Sequence, residues 1–216
     1  ALAPVCVALL VGDAGPPLPM RTAGIMAVAV ACTAALAFNS EGCPELASLR
    51  TDEVAAMSPS QVAAALNGFW YEQGYIDVAQ VGASCQTLNA TIDGPEWPDG
   101  RVDTDFAVKY GKVPFHITES YAPNADKPGV YVKTATSVPG GQLIKLPTVV
   151  VDVTPQSFIL FSCLETPLVP PVIELVFAGK KANVDDLEFE QLLALAEAQN
   201  VPFEASQVHR VNHTGC

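Results

Sequence analysis

The feature that most limits how this chain can fold is a succession of eight short β-type runs with no helical pattern between them. They are Phe69–Val78, Ser84–Ile92, Arg101–Tyr110, Val113–Tyr121, Gly129–Thr136, Gln142–Val153, Ser157–Leu164 and Val172–Ala178. Turn chemistry separates them: Asp93-Gly94-Pro95, Pro98-Asp99-Gly100, Gly111-Lys112 and Pro139-Gly140-Gly141. Strands at about 10–15-residue spacing with tight turns leave no room for crossover helices, which predicts an all-β antiparallel sandwich or barrel. Before the strands, Gln61 to Leu66 predicts one short helical turn. After them, Asp185 as N-cap and Glu188 three residues later form a capping-box start. Phe189, Leu192, Leu193 and Ala196 then make one apolar stripe, and Asn200 and Pro202 end the helix. This single α-helix is expected to pack outside the sheet.

Alternation within the strands separates a dry face from a wet one. Val102, Thr104, Phe106, Val108 and Tyr110 share one side, while Asp103, Asp105, Ala107 and Lys109 share the other. On the preceding strand, Leu88, Ala90 and Ile92 lie opposite Cys85, Thr87, Asn89 and Thr91. Asn89-Ala90-Thr91 is an N-glycosylation sequon, and a glycan must point at water, so the apolar set faces inward. Asn212-His213-Thr214 is a second sequon, close to Cys216.

Composition narrows the partners. Eleven basic against 23 acidic residues give a net charge of −12, so the chain lacks the basic face that nucleic acid or an anionic membrane requires. Met20-Arg21-Thr22, an apolar run from Ala23 to Ala34 and Ala35-Leu36-Ala37 read as a signal peptide over residues 20–37. Residues 1–19 read as upstream or fragment sequence, and residues 38–216 as the mature domain, secreted and without an integral membrane span. The alternative location is the plastid or thylakoid lumen of an alga, because Phe38 directly after the cleavage site is similar to the presequences of secondary plastids. The acidic stretch that follows argues against it. Export makes Cys43, Cys85, Cys163 and Cys216 a disulfide set, with three pairings open on spacing alone. Their wide spacing excludes a zinc knuckle.

Asn67-Gly68-Phe69-Trp70-Tyr71-Glu72 opens the first strand, after Cys43-Pro44 and before Cys85 with Asn89 four residues on. Phe158-Ile159-Leu160-Phe161-Ser162-Cys163 supplies a late aromatic-rich strand ending in Ser-Cys. In this order the motifs resemble the lipocalins, and within them the apolipoprotein D, bilin-binding protein and lazarillo group. The resemblance runs from about Cys43 to Cys216. It implies an eight-stranded up-and-down antiparallel barrel, with disulfides Cys43–Cys163 and Cys85–Cys216. Gly68, Trp70, Asp152 and Lys180 fall on the structural motif positions. The sequence departs from the family in keeping only Asp152 of Thr-Asp-Tyr, and in carrying Lys180 where the family has Arg. An Arg stacks and hydrogen-bonds in a fixed plane, whereas Lys is a flexible point charge, so a looser barrel floor is expected here.

Chemistry-bearing motifs are otherwise absent: the chain has no G-x-S-x-G elbow, P-loop or H-E-x-x-H. His116, His209 and His213 are isolated, and His116 falls on the outward parity. Glu72 shares parity with Trp70; an inward carboxylate can meet a ligand's polar end or serve as a hydrogen-bonded structural residue near the floor. No cofactor or metal is implied. The function expected is secreted transport of a small hydrophobic ligand (lipid, retinoid, carotenoid, bilin, sterol or fatty acid) by a monomer or weak homo-oligomer. Alternation gives the pocket liners as Leu88, Phe106, Val108, Tyr110, Phe115, Ile117, Phe158 and Leu160; the alternative is that they simply fill the interior. Two rival functions are a lipocalin-fold enzyme acting on a lipid or xanthophyll and a structural subunit of a larger complex. The enzyme needs a free thiol or an inward carboxylate, and four paired cysteines leave no thiol.

Overall fold

The computed structural model describes residues 42–92, 100–166 and 169–216. The expected leader at 20–37, the sequence ahead of it and the turn at 93–99 lie outside them. Eight strands follow one another as a meander: β1 (Gly68–Ile76), β2 (Ala83–Thr91), β3 (Val102–Tyr110), β4 (Val113–Pro123), β5 (Val130–Ala135), β6 (Leu146–Val153), β7 (Ser157–Thr166) and β8 (Val169–Gly179). Each pairs antiparallel with the next, and β1 pairs with both β8 and β2, so the sheet closes into a barrel. This is the eight-stranded antiparallel architecture that the spacing of the turns predicts.

The boundaries depart from the sequence reading in three places. The run Gln142–Val153 enters the sheet only at Leu146, because Gly140 turns left-handed and Gly141–Leu143 form a 3-10 turn. That leaves Leu143 and Ile144 exposed despite their apolar character. A ninth strand, β9 (His209–Arg210), pairs with Gly74 and Tyr75, the part of β1 beyond its pairing with β2. Ahead of the barrel stand two helices, α1 (Asp52–Ala56) and α2 (Pro59–Leu66), where sequence predicts one turn. Ser58 and Gln61 cap α2 reciprocally, and Pro59 sits where its missing N–H costs nothing.

These helices plug one end. Val54, Val62, Ala63 and Leu66 are buried in the same cluster as Trp70, Val102, Tyr121, Tyr131, Val150 and Phe158 on the inner wall. Trp70 donates its indole N–H to the Leu66 carbonyl at 2.7 Å and meets Phe158 edge-on at 4.9 Å. Asp152, beside a bulge in β6, accepts a 3.3 Å hydrogen bond from Thr51, the N-cap of α1. Thus the motif residue Asp152 fastens the plug to the wall.

The helix α3 (Asp186–Ala198) starts with the Asp185–Glu188 capping box and lies outside the barrel. Phe189 and Ala196 bury against Val149, Val151, Ile159, Phe161, Leu175 and Phe177, the outward residues of β6 to β8. At Gly74 a Cβ would lie 2.6 Å from the Phe189 ring, so glycine lets the helix seat at the β1 bulge. Two disulfides, Cys43–Cys163 and Cys85–Cys216, tie the two ends of the domain to the barrel across 120 and 131 residues. On the chain-entropy account, loops this long contribute about 4–5 kcal/mol each. Among the described residues no helix is long and apolar enough to cross a membrane.

Lys180 completes the floor. Its Nζ lies 3.2 Å from the Trp70 ring centroid and donates to the Phe69 carbonyl at 2.9 Å. Gly68 runs beside it at φ +110°, a backbone region that side chains avoid. A cation over an indole contributes roughly 0.5–2 kcal/mol. Lys180→Met is therefore expected to lower the melting temperature by roughly 1–8 °C, and Lys180→Arg to raise it by adding a planar stack. Thermal unfolding followed by circular dichroism checks both; an unchanged Lys180→Met would remove the role assigned to this contact.

Candidate functional site

Register determines which side chains enter the barrel. Leu88 pairs with Phe106 and Trp70, Phe106 with Ile117, Val108 with Phe115, and Tyr110 with Val113. Across the barrel Leu160 pairs with Val176, and Phe158 with Ala178. All eight expected pocket residues thus fall on the inner face, but at different depths. Phe158, Leu88, Phe106, Val108 and Leu160 are buried, and Ile117 is half-buried. Tyr110 and Phe115, with Val113, are exposed by 39%, 46% and 65%. The floor is sealed and the opposite rim shows apolar side chains to water.

The same register carries charge inward. Glu119 follows Ile117 on β4, Lys133 follows Tyr131 on β5, and Glu174 precedes Val176 on β8. Lys133 is paired with both Glu119, at 3.2 Å, and Glu174. Tyr121 donates its hydroxyl to the other oxygen of Glu119 at 2.7 Å. The two carboxylates hold the Lys133 ammonium well above its ordinary pKa despite burial. Burial pushes Glu174 up, against the pull of Lys133.

A second polar chain joins this group from β1. Glu72 is fully buried, and its Oε1 accepts from Gln80 Nε2 at 3.3 Å. Gln80 in turn accepts from Gln86 Nε2 of β2 at 3.3 Å. The 3-10 turn Val78–Gln80 is pinned by two tyrosine hydroxyls: Tyr75 donates to the Gln80 carbonyl at 2.9 Å, and Tyr110 to the Ala79 carbonyl at 2.7 Å. Desolvation drives the Glu72 carboxyl well above the usual range, Gln80 opposes it, and the charges of Asp77 and Glu119 raise it further. Burial raises Asp77 as well, with the Ala79 N–H and Lys133 pulling the other way.

The remaining candidates lie elsewhere. Asn89 is exposed on the outward face of β2, and Asn212 is exposed beside a buried His213. His213 must donate its Nε2–H to the Glu72 carbonyl, 2.8 Å away, since a carbonyl only accepts. His116 is exposed on the outer wall 3.2 Å from Asp105. Glu72 was the one inward carboxylate marked by sequence; Glu119, Lys133, Glu174 and Gln86 were missed. The signal was present for Glu119 and Gln86, which continue the parity of Ile117 and Leu88, whereas β5 and β8 had no residue assigned inward from which Lys133 and Glu174 could be read.

No family model and no curated protein matches the chain. Solved structures do. Insecticyanin from the tobacco hornworm superimposes with a TM-score of 0.60 at 15% identity, covering 81% of this chain and 88% of that one. Lobster apocrustacyanin A1 gives 0.55 at 13%, covering 74% and 87%. An odorant-binding protein, OBP1, gives 0.52 at 16%, covering 74% and 96%. These structures are lipocalins.

The raised Glu72 pKa has a consequence for stability. A folded carboxyl with a raised pKa binds protons that the unfolded chain releases, so stability falls as pH climbs from about 4.3 toward the folded value. Glu72→Gln, which can still accept from Gln80, is expected to raise the melting temperature at pH 7 by about 2 °C or more. The gain should vanish near pH 4. Calorimetric scans at the two pH values check this, and a loss at pH 7 would show that the charged form stabilises the fold. A closed meander of eight strands, an indole-sealed floor and an outer C-terminal helix give this chain the lipocalin fold.

Proposed function

We propose that the protein is a secreted carrier, apolipoprotein D-like in type, that takes a small hydrophobic ligand into the barrel. The observation that carries this is the gradient along the inner face. Apolar side chains are sealed beneath Trp70 at one end and stand in water at Tyr110, Phe115 and Val113 at the other. Burying such a rim against a ligand yields about 25 cal/mol per Å², and apolar lining with a few placed polar groups is the usual form of a small-molecule site. The fold supports the reading, since similar structures include a protein named for odorant binding and a siderocalin described as having dual ligand specificities. Two disulfides and the leader-like sequence support export, with a glycan on the exposed Asn89.

The test is native mass spectrometry of the chain secreted from a eukaryotic host, with organic extraction of anything retained. A fluorescence panel of a retinoid, a bilin, a sterol and a fatty acid accompanies it. A retained or quenching ligand is expected, and Phe106→Asp should weaken its binding about tenfold or more. An empty protein that responds to no member of the panel would mean a filled barrel.

The inward carboxylates favour a second reading. An enzyme in the barrel needs a free thiol or an inward carboxylate, and all four cysteines of the domain are in disulfides. The other requirement, a carboxylate placed inside, is met by Glu72, which has the raised pKa of an acid–base group. Chemical change in an extracted or added ligand, abolished by Glu72→Gln, would establish that reading.

A further inference from the structure

The barrel interior holds more carboxyl groups than its paired cation offsets. Glu72, Asp77 and Glu174 each feel Glu119 and Lys133, which makes four carboxyl groups around one ammonium. Lys133 is committed to Glu119 and Glu174. The Glu72 carboxyl receives a single hydrogen bond, from a neutral amide.

Independently of charge, two buried acceptors in this region lack donors: Glu72 Oε2 and Gln86 Oε1. Both side chains belong to residues that are 0% exposed. The amide orientations follow from the chain itself. A carboxylate only accepts, so Gln80 must turn its Nε2 to Glu72. Gln80 then presents its oxygen to Gln86, which must turn its own Nε2 toward it. The oxygen of Gln86 is therefore the end of the chain and is left over. An unmade hydrogen bond at a buried acceptor costs about 1–3 kcal/mol, more for a charged group, so the pair is complementary to a group that brings N–H donors and positive charge. A metal ion fits poorly, since no three His, Cys, Asp or Glu side chains among the described residues are placed to hold one.

Resting on the reading that the barrel holds a ligand, we propose that this ligand is a lipophilic amine whose ammonium donates to Glu72 and Gln86. Asp77, Glu119 and Glu174 add an attractive field, and the apolar body lies along Leu88, Phe106 and Ile117 toward the rim. A carboxylate-headed ligand meets the same field as repulsion, which separates this class from fatty acids. The groups acting on Glu72 are Tyr75 and Asp77 from β1 and its turn, Glu119 from β4 and Lys133 from β5; Tyr110, Tyr121 and Glu174 stand one step further out, beside Asp77, Glu119 and Lys133. Lys133 is the only cation among these, and it is already paired.

The test uses three probes of one chain length, dodecylamine, dodecanol and dodecanoate, titrated calorimetrically at pH 7 below their aggregation limits into the full secreted chain. Dodecylamine is expected to bind about tenfold or more tightly than dodecanol, and dodecanoate most weakly. Glu72→Gln should cut the amine preference severalfold while leaving dodecanol binding in place. Glu174→Gln, which removes charge without touching the orphan acceptor, should cut it less. Dodecanol binding as tightly as dodecylamine would overturn the amine assignment and leave the carrier reading intact. A preference untouched by both substitutions would overturn the seating at Glu72. Binding of none of the three would remove the carrier reading and this inference together.

Discussion

Closure of the sheet through β1 is the constraint on which the rest of the structure depends. Because β1 pairs with β8 along one edge and with β2 and then β9 along the other, every meander strand has a partner on each side. Closure also makes the inside of the sheet a separate compartment. Every second residue of eight strands points into it, and each must be packed, hydrogen-bonded or matched by something that enters. The N-terminal helices, Trp70 and Lys180 finish one end. The other is left with Tyr110, Phe115 and Val113 at the rim.

Within that compartment two chemistries meet. The floor is apolar and continuous, from Val54 and Leu66 of the plug through Trp70 and Phe158. Higher up, Glu72, Glu119, Lys133 and Glu174 are held out of water by the same wall. Buried ion pairs return little net stability, because desolvation offsets much of the attraction. A fully buried Glu72 with a single amide partner is costlier still. Groups that a fold would be more stable without are commonly there to meet something, which links the energetics of the interior to its use.

Fold and site were legible in the sequence to different degrees. The strands were legible because turn residues recur at regular spacing and the apolar residues alternate; Asp103 and Asp105 against Phe106 and Val108 show it plainly. The start of β6 was not, since Leu143 and Ile144 carry a strand-like composition that only the turn at Gly140 removes from the sheet. The plug helices were underestimated because α1 has five residues and no periodicity to read. In the site, parity placed Leu88, Phe106 and Leu160 inward, yet nothing in the sequence singled out Glu119, Lys133 and Glu174. A charged residue is ordinarily outside, and a single strand does not show the partner that makes an inward position tolerable.

The sequence by itself determined the class of fold, the apolar inner wall, the outer helix and the cysteine set, because periodicity, turn chemistry and composition are local properties. Tertiary structure alone decided the rest. Pairing of β1 with both β2 and β8 turned a sheet into a closed compartment. Register then brought Glu72, Gln80 and Gln86 into one hydrogen-bonded chain and Lys133 between two glutamates from β4 and β8. These contacts join residues up to 41 positions apart. Their energies depend on distance and on exclusion of water, two quantities that exist only once the barrel has closed.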